Sequence, residues 1–246
     1  MRTIENSNKT IAKIAEGSLT PAEFAKLPVN EKMDCLLHLD GAKKARMILD
    51  DPKPELLVQS LPMWDIYQII HELGAENALD IFQLATPEQV RFVLDLELWE
   101  GWTISVEEIA KWLELILSTG DADALRLLSE LDQELLIIFL KQTVTVGGGL
   151  DDIINSEDHH SDWDHTFDEV FFLNIHDEEY SELTLKLLEL LYNEDHKLYR
   201  SLMLGTESEL MAELEEMAGQ FRSGRLADEG LPPTIDSAKY YAREMN

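Results

Sequence analysis

Three imidazoles and four carboxylates fall within nine consecutive positions, Glu157-Asp158-His159-His160-Ser161-Asp162-Trp163-Asp164-His165. Neutral imidazole and carboxylate oxygen are ligands for zinc, iron or manganese. His159, His160, Asp162, Asp164 and His165 are therefore the candidate metal set, and metal-dependent catalysis is the chemistry they would serve. A functional site also needs fixed geometry and outer partners that orient the rings. Adjacent His159 and His160 cannot both aim inward from a regular element, and His165 converges with them only if the chain folds back. Three outcomes stay open for the segment: a specific metal site, loose adventitious binding of divalent cations, or a solvated acidic loop.

A second chemically capable group is the arginine pair in "MAGQFRSGRLAD", Arg222 and Arg225. In so acidic a chain these two should pair with carboxylates at a helix end or domain junction, while a ligand carboxylate or phosphate is the alternative use of the same fork geometry. Cys35 is the only cysteine, which excludes an intrachain disulfide and a thiolate-built metal site. It sits in an amphipathic helix with only His38 nearby and is expected to be a buried thiol. His71 and His196 read as ordinary helix residues. The chain contains no HExxH, GxGxxG or GxxxxGK[ST] pattern. Ser, His and Asp do occur together at 156–162, but a catalytic triad is defined by spatial geometry, not adjacency. The stretch "DDIINSEDHHSD" has Ile at its third position and lacks the glycine and final glutamate of a calcium loop. Catalytic and cofactor-binding residues are thus expected to be absent. Acidic pairs such as Glu107/Glu108 and Glu213/Glu216 read as solvated helix faces.

The elements that must position these residues are bounded by composition. At 246 residues with 45% hydrophobic content, the chain is long enough to bury a sizeable core. Twenty Lys and Arg against forty-nine Asp and Glu give a formal net charge of -29. Such a charge repels nucleic acid and anionic membrane surfaces, and it tolerates divalent cations and basic protein patches best. The N-terminus has no long apolar signal core and no apolar run approaches twenty residues. The expectation is a cytoplasmic protein without membrane insertion.

Apolar residues recur every three or four positions over 20–142, and proline follows cap-type residues at Thr20-Pro21, Asp51-Pro52 and Thr86-Pro87. These short helices repeat. "GAKKARMILDDPKPELLVQSL" from Gly41 and "GAENALDIFQLATPEQVRFVL" from Gly74 match at an offset of 33, pairing Ala45 with Ala78, Ile48 with Ile81, Leu57 with Val90 and Leu61 with Leu94. A weaker copy, "GDADALRLLSELDQELLIIFL", starts at Gly120 and sets Asp132 where Thr86 stood. Helix pairs of this size bury their apolar faces by stacking on neighbours. Trp99, Trp102 and Trp112 are expected to plug a junction between them, and Ser105 with Glu108 forms a capping-box pattern. After Thr143, "TVTV" and "GGG" end the helical run. "FDEVFFLNI" reads as a strand that "TVTV" would partner, and helices resume beyond it.

"LDLELWEGWTI" at Leu94–Ile104 and "RSGRLAD" at Arg222–Asp228, followed by Gly230 and Pro232, resemble a bacterial family of unknown function, DUF6178. The similarity runs from about residue 20 to the end. Members of that family are often longer, which implies that this chain is a short form or the N-terminal portion of one. The resemblance transfers no catalytic residue. "LPVNEKMDCLLHLDGAKKARMIL" and "LATPEQVRFVLDL" also resemble, more weakly, the cytosolic N-terminal domain of bacterial magnesium transporters, which implies a superhelix of short helices with an acidic, magnesium-sensing surface.

The sequence therefore predicts a mainly all-α fold. An N-terminal arm (1–19) precedes a short helical-repeat superhelix (20–142). An acidic His-rich, Gly-containing loop (143–166) leads to a C-terminal helical region (167–246), with room for one short β-hairpin. The expected role is a non-catalytic protein-interaction or regulatory module whose partner is another protein or a second copy. A Mg²⁺-responsive regulatory domain is the main alternative. A metal-dependent enzyme built on His159, His160 and His165 ranks last.

Overall fold

A computed structural model describes residues 20–149 and 163–231. The chain divides into two compact units, the first ending at Val93 and the second starting at Leu94. Among the described residues there are thirteen α-helices and five short strands, so the fold is mainly helical with a minor β element.

The first unit contains α1 (Pro21–Phe24), α2 (Val29–Leu36), α3 (Gly41–Leu49), α4 (Pro54–Ser60), α5 (Met63–Leu73), a 3-10 turn (Ala75–Ala78) and α6 (Leu79–Leu84); the unit boundary falls within α7 (Pro87–Glu97). Proline opens α1, α4 and α7, where its missing N–H has no helical partner to lose. Thr20 and Glu23 form a full capping box. Thr86 and Gln89 cap reciprocally in the same manner, and the Gln89 amide also donates to the Val58 and Leu61 carbonyls at 2.9 and 2.8 Å. One buried side chain thus starts α7 and satisfies the end of α4. The expected start at Asp51-Pro52 moves to Pro54. The reason is that the Asp51 carboxylate is already taken, by the Lys53 N–H at 3.0 Å and the Lys32 ammonium at 2.5 Å. A second buried pair joins Lys44 to Asp65.

The repeat is visible as burial. Ala45, Ile48, Leu57 and Leu61 in the first copy are at most 5% exposed, and so are Ala78, Ile81, Val90 and Leu94 in the second and Ala124, Leu127, Leu136 and Leu140 in the third. Each copy turns the same positions inward.

The second unit begins with a two-stranded hairpin, β1 (Trp99–Glu100) and β2 (Thr103–Ile104). It continues through α8 (Val106–Ser118), α9 (Asp121–Leu128) and α10 (Gln133–Thr143). Residues 135–140 of α10, "LLIIFL", are all buried, and α8, α11, α12, α13 and β3 pack around it. A helix apolar on every side belongs in a core. Next come β3 (Val144–Gly148), β4 (His165–Thr166) and β5 (Phe171–Ile175), then α11 (Ser181–Glu194), α12 (His196–Ser208) and α13 (Met211–Asp228). Strands β3 and β5 pair antiparallel from Val144↔Ile175 to Gly148↔Phe171, and β4 adds to the other edge of β5. "TVTV" is therefore the partner strand that the sequence called for. Helices α11 and α12 divide at Asp195, whose carboxylate caps α12 through the Leu198 N–H at 3.0 Å.

The glycine run does not open into a turn at its start. Gly147 and Gly148 continue β3, and a Cβ on Gly147 would collide with the Trp163 ring. The glycine is there for close approach. Gly224, on α13, meets nothing within 4 Å. Replacing Gly147 by Ala is expected to destabilise the protein by about 1–3 kcal/mol through overpacking. Replacing Gly224 by Ala should stabilise it by about 0.5–1 kcal/mol through helix propensity. Urea melts of the two variants should move in opposite directions.

Candidate functional site

The two arginines occupy one built site in the second unit. Arg222 and Arg225 stand three residues apart on α13 and so share a face. Arg222 is 2% exposed. Its Nε donates to the Asp95 backbone carbonyl at 2.5 Å, a terminal nitrogen donates to the Gly101 carbonyl at 3.3 Å, and the guanidinium lies over the Trp99 ring at 4.8 Å. Burial lowers its pKa to about 10, opposed by the charge of Asp95, so it remains a cation at neutral pH. Arg225 makes a two-pronged contact with Asp95, with both nitrogen-to-oxygen distances 2.7 Å, and a second with Asp132 at 2.7 and 3.1 Å. Burial opposes the charge on Arg225, but the hydrogen bonds to Asp95 and Asp132 outweigh it and hold the group above its ordinary pKa. Asp95 is displaced upward by burial, with Arg225 pulling the other way.

Asp132 explains why this geometry was hard to read. It is the N-cap residue of α10, yet it makes no side-chain cap bond; its carboxylate goes to Arg225 instead. Sequence reading placed it in a cap position and missed its real partner. Asp95 carried no signal of its own among forty-nine acids.

The arginines fasten a hairpin. Trp99 pairs with Ile104 and Glu100 with Thr103, leaving Gly101-Trp102 as a two-residue turn. Gly101 takes φ +63° and Trp102 is not among the positive-φ residues, the pattern of a type II′ turn with Gly in its first central position. Its signal in the sequence is the glycine between Glu100 and Trp102 in "WEGWTI". Trp99 and Trp112 are buried, at 2% and 4% exposure, but Trp102 is 64% exposed. It therefore plugs no junction. It stands at the turn because a two-residue hairpin directs its second central side chain away from the packed strand face.

The histidine segment is not brought to this site by anything described. His159, His160 and Asp162 lie outside the described residues. Asp164 and His165 are exposed, at and beside β4; the Asp164 N–H donates to the Leu173 carbonyl and to Asn174 Oδ1. Among the described residues no group of three or more His, Cys, Asp or Glu could hold a metal ion. Cys35 is 1% exposed and its thiol is raised to about 11 by burial, then by Asp34 and Glu31, so it stays protonated and inert at neutral pH. A cleft of about 380 Å³ is lined by Glu107, Lys111, Glu114, Tyr180, Glu182 and Lys186, among others. Hydrogen bonds to Glu108 and Glu107 hold the Lys111 ammonium protonated, which unsuits it as base or nucleophile. No helix among the described residues is long and apolar enough to cross a membrane.

The hairpin and the arginine helix are the two segments that carried the family resemblance, and here they pack on one another. The model of a family of unknown function, DUF6178, matches residues 21–244. The chain belongs to the DUF6178 family. No curated protein and no solved structure matches it.

In this DUF6178 chain, Arg225→Met removes the cation from two carboxylates, of which Asp95 is 4% exposed at its side chain. The expected loss at neutral pH is about 3 kcal/mol, the low end for a broken buried pair because Arg225 itself is partly exposed. Without the cation, the folded-state pKa of Asp95 lies above its unfolded value, so the folded variant binds the proton more tightly. Stability of the variant should then rise as pH falls from about 7 toward the unfolded carboxylate value near ~4. Denaturant melts across that range check this; a deficit independent of pH would show that Asp95 is not the group left stranded.

Proposed function

We propose that this chain is a non-catalytic, acidic helical-repeat module that works by binding another protein. The observation that carries it is Trp102, a large aromatic held 64% exposed at the tip of a clamped hairpin. Trp is enriched among the residues that dominate binding energy at interfaces, because it offers large area at low entropy cost. A hairpin tied at its Gly101 carbonyl by Arg222, which also holds the Asp95 carbonyl at the end of α7, presents that ring with little freedom left to lose. The chemistry of the other candidate groups favours the same conclusion. The buried thiol is inert, Lys111 is locked by two glutamates, and the arginines already have partners. The net charge of -29 steers basic partners toward the protein and discriminates against acidic ones.

Trp102→Ser is expected to leave stability within about 0.5 kcal/mol, as for an exposed position away from the core. It should also abolish recovery of a partner that the unaltered protein captures from the source cell, through a loss of about 2 kcal/mol or more in binding. Capture that is empty across conditions, or a partner retained equally by both proteins, would count against an interaction role through this ring.

A further inference from the structure

Helix α13 has apolar residues on two sides. Leu214, Ala218 and Leu226 face the core with Arg222, whereas Leu210, Met217 and Phe221 are 63%, 37% and 47% exposed. Leu210, Leu214, Met217 and Phe221 follow one another at steps of four, three and four. Leu214 is fully buried, so the open residues are the N-cap Leu210 with Met217 and Phe221, seven and four positions apart and on the face, or seam, along which a second helix packs. Among the described residues these three keep about a third to two thirds of their surface open. Met and Phe are suited to such a seam, Met because its flexible thioether adapts to different partners.

Charge decides the occupant. The open flank of the seam carries Glu213 and Glu216, both exposed, with Glu209 and Asp228 near its two ends. The helix has only two basic residues, Arg222 and Arg225. The first is buried on backbone carbonyls and the second is engaged by Asp95 and Asp132. The seam thus offers apolar contact and negative charge, with no cation for an acidic visitor. A second copy laid antiparallel on it would set Glu213 and Glu216 against their own duplicates, in molecules that each carry a charge of -29. We infer that the α13 seam of Leu210, Met217 and Phe221 is a docking face for a cationic amphipathic helix of a partner protein. Leucine-type residues of that helix would pack on the seam, and its Lys or Arg would meet Glu213 and Glu216. The hairpin turn bearing Trp102 is fixed through Gly101 to Arg222, the residue after Phe221, so the same clamp orders both surfaces. The inference rests on the interaction role proposed above and adds the chemistry of the partner.

The test uses the intact chain and a fluorescein-labelled synthetic peptide of about 18 residues, the length of α13, with Leu on a 3.5-residue seam and Lys elsewhere. A peptide of the same composition with the seam scrambled is the control. At physiological salt, anisotropy should show the amphipathic peptide binding the unaltered protein at least about tenfold more tightly than the scrambled one. The double variant Met217→Ser/Phe221→Ser leaves net charge unchanged and should remove that preference. Leu210→Ser, at the most exposed seam position, should reduce it without altering the melt, which guards against a folding artefact. Equal binding of both peptides, or equal binding to both proteins, would mean attraction by charge alone and overturn the inference. So would a sedimenting dimer of the chain that the double variant abolishes, since the seam would then belong to a second copy. The two proposals fail separately. A partner lost on Trp102→Ser, with no seam-dependent peptide binding, overturns the seam and leaves the interaction role standing.

Discussion

Asp95 is the residue through which the second unit is tied together. Its carbonyl takes Arg222 and its carboxylate takes Arg225, so one residue engages two side chains a single turn apart on α13. The arrangement solves an awkward problem, because a fully buried guanidinium needs acceptors for its fixed fork of donors. Arg222 finds them in two backbone carbonyls and a tryptophan face rather than in a carboxylate. Carbonyl acceptors cannot move independently of the chain, so the bond fixes register as well as satisfying charge. Apolar side chains of equal volume could give comparable stability. They would not specify which turn of α13 lies against Gly101, and the orientation of the hairpin follows from that.

The same economy of cations shapes the exterior. With twenty basic residues against forty-nine acidic ones, a cation taken inside with a carboxylate leaves the charge balance of the surface unchanged, whereas one held by carbonyls leaves it one charge more negative. Lys32, Lys44 and Arg222 are buried. Lys32 and Lys44 are paired with Asp51 and Asp65 and Arg222 is held by carbonyls. The outer faces of α13 and α8 carry glutamates with few compensating charges; Lys111, bridging Glu107 and Glu108, offsets one of their two charges. A surface of this kind repels other acidic surfaces. It also repels itself, which makes the internal ion pairs more important for holding the helices together.

Much of the fold was legible because it depends on local rules. Proline after cap-type residues and three-four spacing gave the helices of the first unit, and the alignment of the copies from Gly41, Gly74 and Gly120 gave inward positions that are buried in all three. The β3–β5 pair followed from composition alone. What resisted reading was non-local. Asp132 looked like a cap, since a cap and an ion-pair partner use the same side chain, and only the return of α13 some ninety residues later in the chain decides between them. The split of α11 from α12 at Asp195 was hidden because leucine periodicity runs through it. Of the proposed metal ligands, Asp164 and His165 sit on and beside a sheet edge, while His159, His160 and Asp162 lie outside the described residues.

Trp99 and Trp102 show how far identical residue types can diverge when a turn separates them. Both were expected to plug a junction, on the general ground that large aromatics bury area. Trp99 does so, because it occupies a strand position whose cross-strand neighbour Ile104 also faces inward and because Arg222 covers its ring. Trp102 cannot, because Gly101 takes the positive φ that a two-residue turn demands and leaves the next side chain at the tip. Packing holds a tryptophan there only weakly: at 64% exposure the ring gains far less from folding than buried Trp99 does. A residue so exposed, set on a turn anchored by a buried arginine, is the ground of the interaction role proposed for the hairpin. That asymmetry between a ring required for packing and a ring free of it is the physical basis for reading the hairpin as a contact surface.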